Sequence, residues 1–141
     1  MPEKETRRRA RRDKRQGKAP STQAGEFVRE EMEHIRHGKH GARSTKQAIA
    51  IGLSKARRSG VKLRASKGSS AATRRKARQD VRAGQTRRRP SPRRARAVRR
   101  ALKREGRSAA SKRALSRQAR TAARRRRTGG RSATRRRRAH A

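Results

Sequence analysis

The sequence predicts a mostly α-helical but largely disordered chain: a short αα-hairpin with a long Arg-rich tail whose segments become helical on binding. Three observations lead there. The 141 residues hold 49 Lys and Arg against 9 Asp and Glu, a formal charge of +40, and only 27% are hydrophobic. That balance leaves too little apolar surface to offset the entropy of ordering a whole chain. Amphipathic periodicity with large apolar residues is concentrated in residues 22–63, and beyond Leu63 the chain turns to Arg, Ala and Ser punctuated by Gly68, Gly84, Gly106, Gly129 and Gly130.

Residues 1–21 read as a basic N-terminal arm ending near Gly17 and Pro20. The first hairpin helix is expected over about 22–37. Ala24, Val28, Met32 and Ile35 recur at helical spacing with Phe27 beside them, Ser21 or Thr22 can cap the start, and Gly38 suits a left-handed C′ position. It is also the acidic segment, with Glu26, Glu30, Glu31 and Glu33. A connector from Gly38 to Arg43 leads to a second helix over about 44–59. Ser44 and Gln47 form a capping box there, Ile49, Leu53 and Ala56 make a stripe, and Gly60 ends it. Small residues at 48, 50, 52 and 56 invite close approach of another helix. Phe27, Val28, Met32, Ile35, Ile49, Leu53 and Ala56 form the expected core. It is small enough for dimerisation through the same stripes to be an alternative.

Residues 64–141 read as a disordered or conditionally helical tail. Helical patterning covers roughly 70–83, 92–105 and 108–127, and 128–141 is a plain tail. Ser91 and Pro92 start the middle segment, with Ala95, Val98 and Leu102 on one face. Dense like charges at i, i+4 oppose these helices unless phosphate screens them.

Charge sets the partner class. The basic residues are 38 Arg and 11 Lys, and guanidinium is always ionised and matches phosphate oxygens with a planar fork. Forty charges could neutralise on the order of 70 Å of duplex. The candidate phosphate contacts are Arg7, Arg8 and Arg9; Lys39, Arg43, Lys46, Lys55, Arg57 and Arg58; Arg87, Arg88 and Arg89; Arg93 and Arg94; Arg124, Arg125, Arg126 and Arg127; and Arg135, Arg136, Arg137 and Arg138. Ser91-Pro92-Arg93-Arg94 matches a turn of histone tails that favours a narrow minor groove, with chance and helix capping as the competing account.

Other chemistry finds little support. His34, His37 and His40 lie three apart near Glu30 and Glu33, but one helix cannot carry all three across Gly38, so a solvated cluster at a helix C-terminus is favoured and no metal is assigned. The connector lacks the order of a nucleotide-binding loop, and it is too long for a helix-turn-helix with no third helix behind it. With no Cys, no Asp between residues 22 and 63 and no Gly-x-Ser-x-Gly element, no catalytic residue, cofactor or small-molecule substrate is expected. The longest apolar run, 48–53, is far short of the roughly 20 residues of a membrane span, and a cytoplasmic, nucleoid-associated location is expected.

The stretch Gly25-Glu-Phe-Val-Arg-Glu-Glu-Met-Glu-His-Ile-Arg and the run from Gly38-Lys-His-Gly-Ala-Arg-Ser-Thr-Lys-Gln-Ala-Ile-Ala-Ile-Gly-Leu to Gly60 resemble a bacterial family of small basic proteins of unknown function, often labelled DNA-binding or plasmid-stabilisation proteins. The resemblance covers about residues 12–63, and the stretch at 103–111 is also similar. It implies a bacterial, nucleoid protein without catalytic residues. Members have more Lys and fewer Arg in the tail, so tail chemistry does not carry over.

The functional expectation is a non-specific, DNA-coating, histone-H1-like protein that neutralises phosphate, with the hairpin docking or self-associating. Alternatives are RNA or ribosome binding, to which Arg127-Thr-Gly-Gly-Arg131 is faintly suited, and a plasmid-maintenance interaction module. Binding to anionic membrane fits less well, because the tail lacks large apolar anchors.

Overall fold

The computed structural model describes residues 2–86 and 89–139, with side chains as far as residue 129. Among the described residues six α-helices follow in order: α1 (Lys4–Arg15), α2 (Pro20–Arg36), α3 (Thr45–Arg58), α4 (Ala71–Thr86), α5 (Pro92–Lys103) and α6 (Lys112–Ala139), with a 3-10 turn at Ser108–Ala110.

Local signals set the helix ends. The first three helices all stop by the same device. Gly17, Gly38 and Gly60 have φ of 72°, 75° and 103°, and the residue after each donates its N–H back into the last turn: Lys18 to Asp13 O (3.0 Å), Lys39 to His34 O (2.9 Å) and Val61 to Ala56 O (3.0 Å). This is the Schellman geometry that favours glycine at C′. α3 begins at Ser44, whose Oγ accepts from Gln47 N at 3.2 Å, while Gln47 Oε1 accepts from Arg43 N at 2.7 Å. α2 starts differently from expectation, with Ala19 at the N-cap and Pro20 in the first turn.

α2 and α3 pair antiparallel and build two small cores. At the loop end, Met32, Ile35, Ala42 and Ala48 pack with Ala109 and Ala110 of the 3-10 turn, flanked by Val28, Ile49 and Leu115. At the open end, Phe27, Ala24 and Ala56 pack with Ala10 of α1 and Val61, flanked by Leu53 and Leu63. Gly52 makes the close crossing: a Cβ there would stand 2.7 Å from Val28 Cα.

The remaining elements attach with little apolar surface. α1 lies on α2 and buries Thr6, Ala10 and Asp13. α4 lies on α3 and buries Ala77 and Asp80. Asp80 accepts from Ser54 Oγ (2.9 Å), Arg58 Nε (3.0 Å) and Lys76 Nζ (3.1 Å). Backbone acceptors tie in the C-terminal part: Thr45 Oγ1 donates to Ala109 O (2.7 Å) and Arg36 Nε to Ala110 O (2.9 Å). The α2–α3 loop completes the attachment, with Gly41 N donating to Leu102 O (2.8 Å) and Ala42 N to Gly106 O (3.0 Å). α5 is the exception. It buries no residue, Val98 is 53% exposed, and it has no packed interface with another described helix.

The short hairpin with a disordered Arg-rich tail is therefore overturned, and with it the histone-H1-like division of labour. The arm at 4–15 is a helix packed on α2, and the segments read as helical only on binding are α4, α5 and α6 of a folded helical bundle. Residues of the plain tail up to Ala139 continue α6. The helix-turn-helix argument also changes, since the α2–α3 pair does not stand alone: α1 packs on α2 and α4 on α3. Buried carboxylates oppose the like-charge repulsion in α1 and α4, and alanine packing with backbone acceptors holds the segment before α6. Among the described residues, no helix is long and apolar enough to cross a membrane.

Candidate functional site

Two arrangements have chemical capacity: the cationic exterior, and a cluster of carboxylates and imidazoles at the loop end of α2.

The exterior follows from where the acids go. Asp13, Glu30, Glu31 and Asp80 are buried. Among the described residues, every Asp and Glu except Glu105 lies within ion-pair distance of a Lys, Arg or His. The Lys and Arg so engaged are Arg9, Lys18, Arg29, Lys39, Lys55, Arg58 and Lys76. The other described basic side chains are outside these pairs, and most are exposed. Lys4, Arg7, Arg8, Arg11, Lys14 and Arg15 line one groove on α1. Arg64, Arg74, Arg78 and Arg82 line another between residues 63–65 and α4, floored by Leu63, Ala77 and Val81.

The expected phosphate contacts divide accordingly. Arg8, Arg43, Lys46, Arg89, Arg93, Arg94, Arg124, Arg125, Arg126 and Arg127 are exposed, and Arg7 is half-buried. Arg9, Lys39, Lys55 and Arg58 are held in the ion pairs above, and Arg57 Nε donates to Leu63 O at 2.8 Å. Arg87 and Arg88 lie outside the described residues. Arg135, Arg136, Arg137 and Arg138 stand on α6, beyond the described side chains. On the α1 groove Arg7 and Arg8 were expected contacts, whereas Lys4, Arg11, Lys14 and Arg15, and the basic face of α4, were not, because they form helical faces rather than runs. Of the expected core, Phe27, Met32, Ile35 and Ala56 are buried, with Val28, Ile49 and Leu53 half-buried against them.

The cluster joins the chain's N-terminal end, α2, the α2–α3 loop and α3. Glu30 and Glu31 are 3% and 0% exposed. Glu30 Oε1 accepts from Glu3 N at 2.6 Å. His34, near the end of α2, puts Nε2 3.0 Å from Glu3 Oε1 and Nδ1 4.0 Å from Glu31 Oε1. The turn at Gly38 folds His40 back over α2, so that its Nε2 is 3.1 Å from Glu31 Oε2 and its ring meets that of His34 edge to face. Its Nδ1 lies 2.9 Å from Gly41 O. Lys55 reaches from α3 to Glu31 Oε1, and Lys39 donates to Glu3 Oε1 at 3.0 Å. Hydrogen bonds from Lys39 and His34 hold the Glu3 carboxyl down from 4.5 to about 2. Yet Glu30 Oε2 and Glu31 Oε2, both buried, make no hydrogen bond. His40 Nε2 has the distance to Glu31 Oε2 but not the alignment. His37 is exposed and outside the cluster.

No curated protein and no solved structure matches the chain. Residues 19–67 match a family of unknown function (DUF6496), a stretch that runs from the start of α2 past the end of α3 and holds every cluster residue except Glu3.

Proposed function

We propose that this protein binds nucleic acid by neutralising phosphate with the outward guanidinium groups of a folded helical scaffold, duplex DNA being the favoured target. The supporting observation is the segregation of charge: the few acids pair within the molecule, leaving most of the cationic exterior unopposed. Such a surface attracts a polyanion at long range and releases its counterions on contact. α5 has the form for this role. Arg93, Arg94, Arg96, Arg99, Arg100 and Lys103 are all exposed on a helix that buries nothing, and an α-helix about 10–12 Å across fits a major groove about 12 Å wide. Binding of this kind would place the protein on the nucleoid.

Salt-titrated binding to duplex DNA and to structured RNA tests the proposal. With about ten phosphate contacts, affinity falls by several decades between about 50 and 200 mM salt. A shallow slope would overturn the reading. Because the helices are already formed, far-UV circular dichroism changes little on binding. Structured RNA is the second reading. Single-strand recognition by base stacking is disfavoured, since Phe27, the single aromatic, is 1% exposed.

A further inference from the structure

We propose that Glu31, His34 and His40 form a binding site for a divalent transition-metal ion of the zinc type. One ligand atom from each of the three lies within 4.8 Å of the other two, a spacing that small side-chain movements close around one cation.

The state of the buried carboxylate is the first argument. Glu31 is fully buried, Lys55 covers Oε1, and Oε2 has no hydrogen bond. Lys55 answers the charge from one side, but a buried carboxylate oxygen left without a donor or cation is unfavourable. A cation beside Oε2 removes that cost.

The imidazoles give the second, independent argument. A metal-bound histidine presents one bare nitrogen to the ion and donates its other N–H to a carboxylate or carbonyl. His40 has this arrangement: a carbonyl can only accept, so the 2.9 Å contact with Gly41 O places the proton on Nδ1 and leaves Nε2 toward Glu31 Oε2. His34 mirrors it. Its Nε2–H faces Glu3 Oε1 at 3.0 Å, leaving Nδ1 on the Glu31 side at 4.0 Å. Both rings thus keep an unprotonated nitrogen on the Glu31 side, within 4.0 Å of one or other of its carboxylate oxygens. The alternative grouping of Glu3, Glu30 and His34 takes His34 through the nitrogen that Glu3 already holds, and it offers one imidazole rather than two. Two nitrogens and one carboxylate suit zinc or a similar ion, and not calcium or magnesium, which take oxygen ligands. Glu3 is a positioning residue here, acting through His34.

The test uses the full chain carrying His37→Gln and His140→Gln, which removes the other two of its four histidines, stripped of metal with a chelator. Zinc ion is added and followed by calorimetry and thermal unfolding. One equivalent binds and raises the melting temperature, magnesium does neither, and Glu3→Gln weakens zinc about 10- to 100-fold, the usual effect of losing the carboxylate that holds a metal-bound histidine. His40→Gln abolishes binding. Should that variant fold poorly, nitrogen-15 shifts of the unmutated rings decide, with zinc bound through Nδ1 of His34 and Nε2 of His40. No saturable zinc binding, binding that survives His40→Gln, or coordination through Nε2 of His34 each overturns the site. Nucleic-acid binding is untouched by these outcomes.

Discussion

Asp80 decides whether α4 is a folded part of this molecule. Its carboxylate is 1% exposed and receives bonds from Ser54, Arg58 and Lys76 at 2.9–3.1 Å. Replacing it by alanine removes the polar link between α4 and α3 that the described residues provide. Charge-assisted hydrogen bonds contribute about 1.5–3 kcal/mol each. However, Arg58 and Lys76 are 37% and 59% exposed, so water screens most of what they contribute. Counting Ser54 fully and the two cations in part, Asp80→Ala should cost about 3 kcal/mol. α4 otherwise buries only Ala77, and a 16-residue helix on its own is marginal in water. Urea unfolding followed by far-UV circular dichroism should show the midpoint shifting down and the native ellipticity falling by about one helix. Lys76→Ala, by contrast, should cost less than about 0.5 kcal/mol. An Asp80→Ala protein within about 0.5 kcal/mol of the original, with unchanged ellipticity, would refute the reasoning and return residues 71–86 to the status of an unattached tail.

Gly52→Ala drives a Cβ to 2.7 Å from Val28 Cα, where only backbone can yield. The overpacking loss of about 1–3 kcal/mol should outweigh the better helix propensity of alanine and lower the melting temperature. At Gly41 a Cβ would sit 2.0 Å from Glu105 O. Gly41→Ala should therefore break the Gly41–Leu102 bond and raise amide exchange through residues 102–110 while α2 and α3 stay protected. Glu3 has its folded pKa lowered from 4.5 to about 2, so its stabilisation is complete above about pH 4.5 and is lost as pH falls toward 2. Acid titration of stability should be flatter in that window for Glu3→Gln.

Helix punctuation was legible where it is local to a cap, although Gly84, Gly129 and Gly130, expected to break the tail, lie inside α4 and α6. Gly38, Gly60, Ser44 and Pro92 act within a few residues of themselves, and their positions could be read directly. Attachment was not legible, because in this chain it runs through groups without apolar periodicity. α1 passed for an arm since its buried face is Thr6, Ala10 and Asp13. The C-terminal part docks through two alanines and the carbonyls of Ala109 and Ala110, and no hydropathy pattern marks a carbonyl. Net charge also misled: a sum of +40 does not say that Asp13 and Asp80 are buried as acceptors for the cations beside them. In the cluster, His34 and His40 were noticed but separated by Gly38. It is the turn at Gly38 that brings them together.

The mode of attachment of α5 divides the molecule in a way its covalent sequence does not. Everything before residue 87 is assembled around α2 and α3, and residues 105–115 are fastened to that assembly by their own bonds and alanines. Between them α5 contributes no buried side chain. A protease nick among Arg93–Arg100 would therefore leave two fragments still clasped together, and the two could be made separately and reassemble. The same stretch is where the chain would best tolerate an inserted domain, because lengthening it displaces no packed atom.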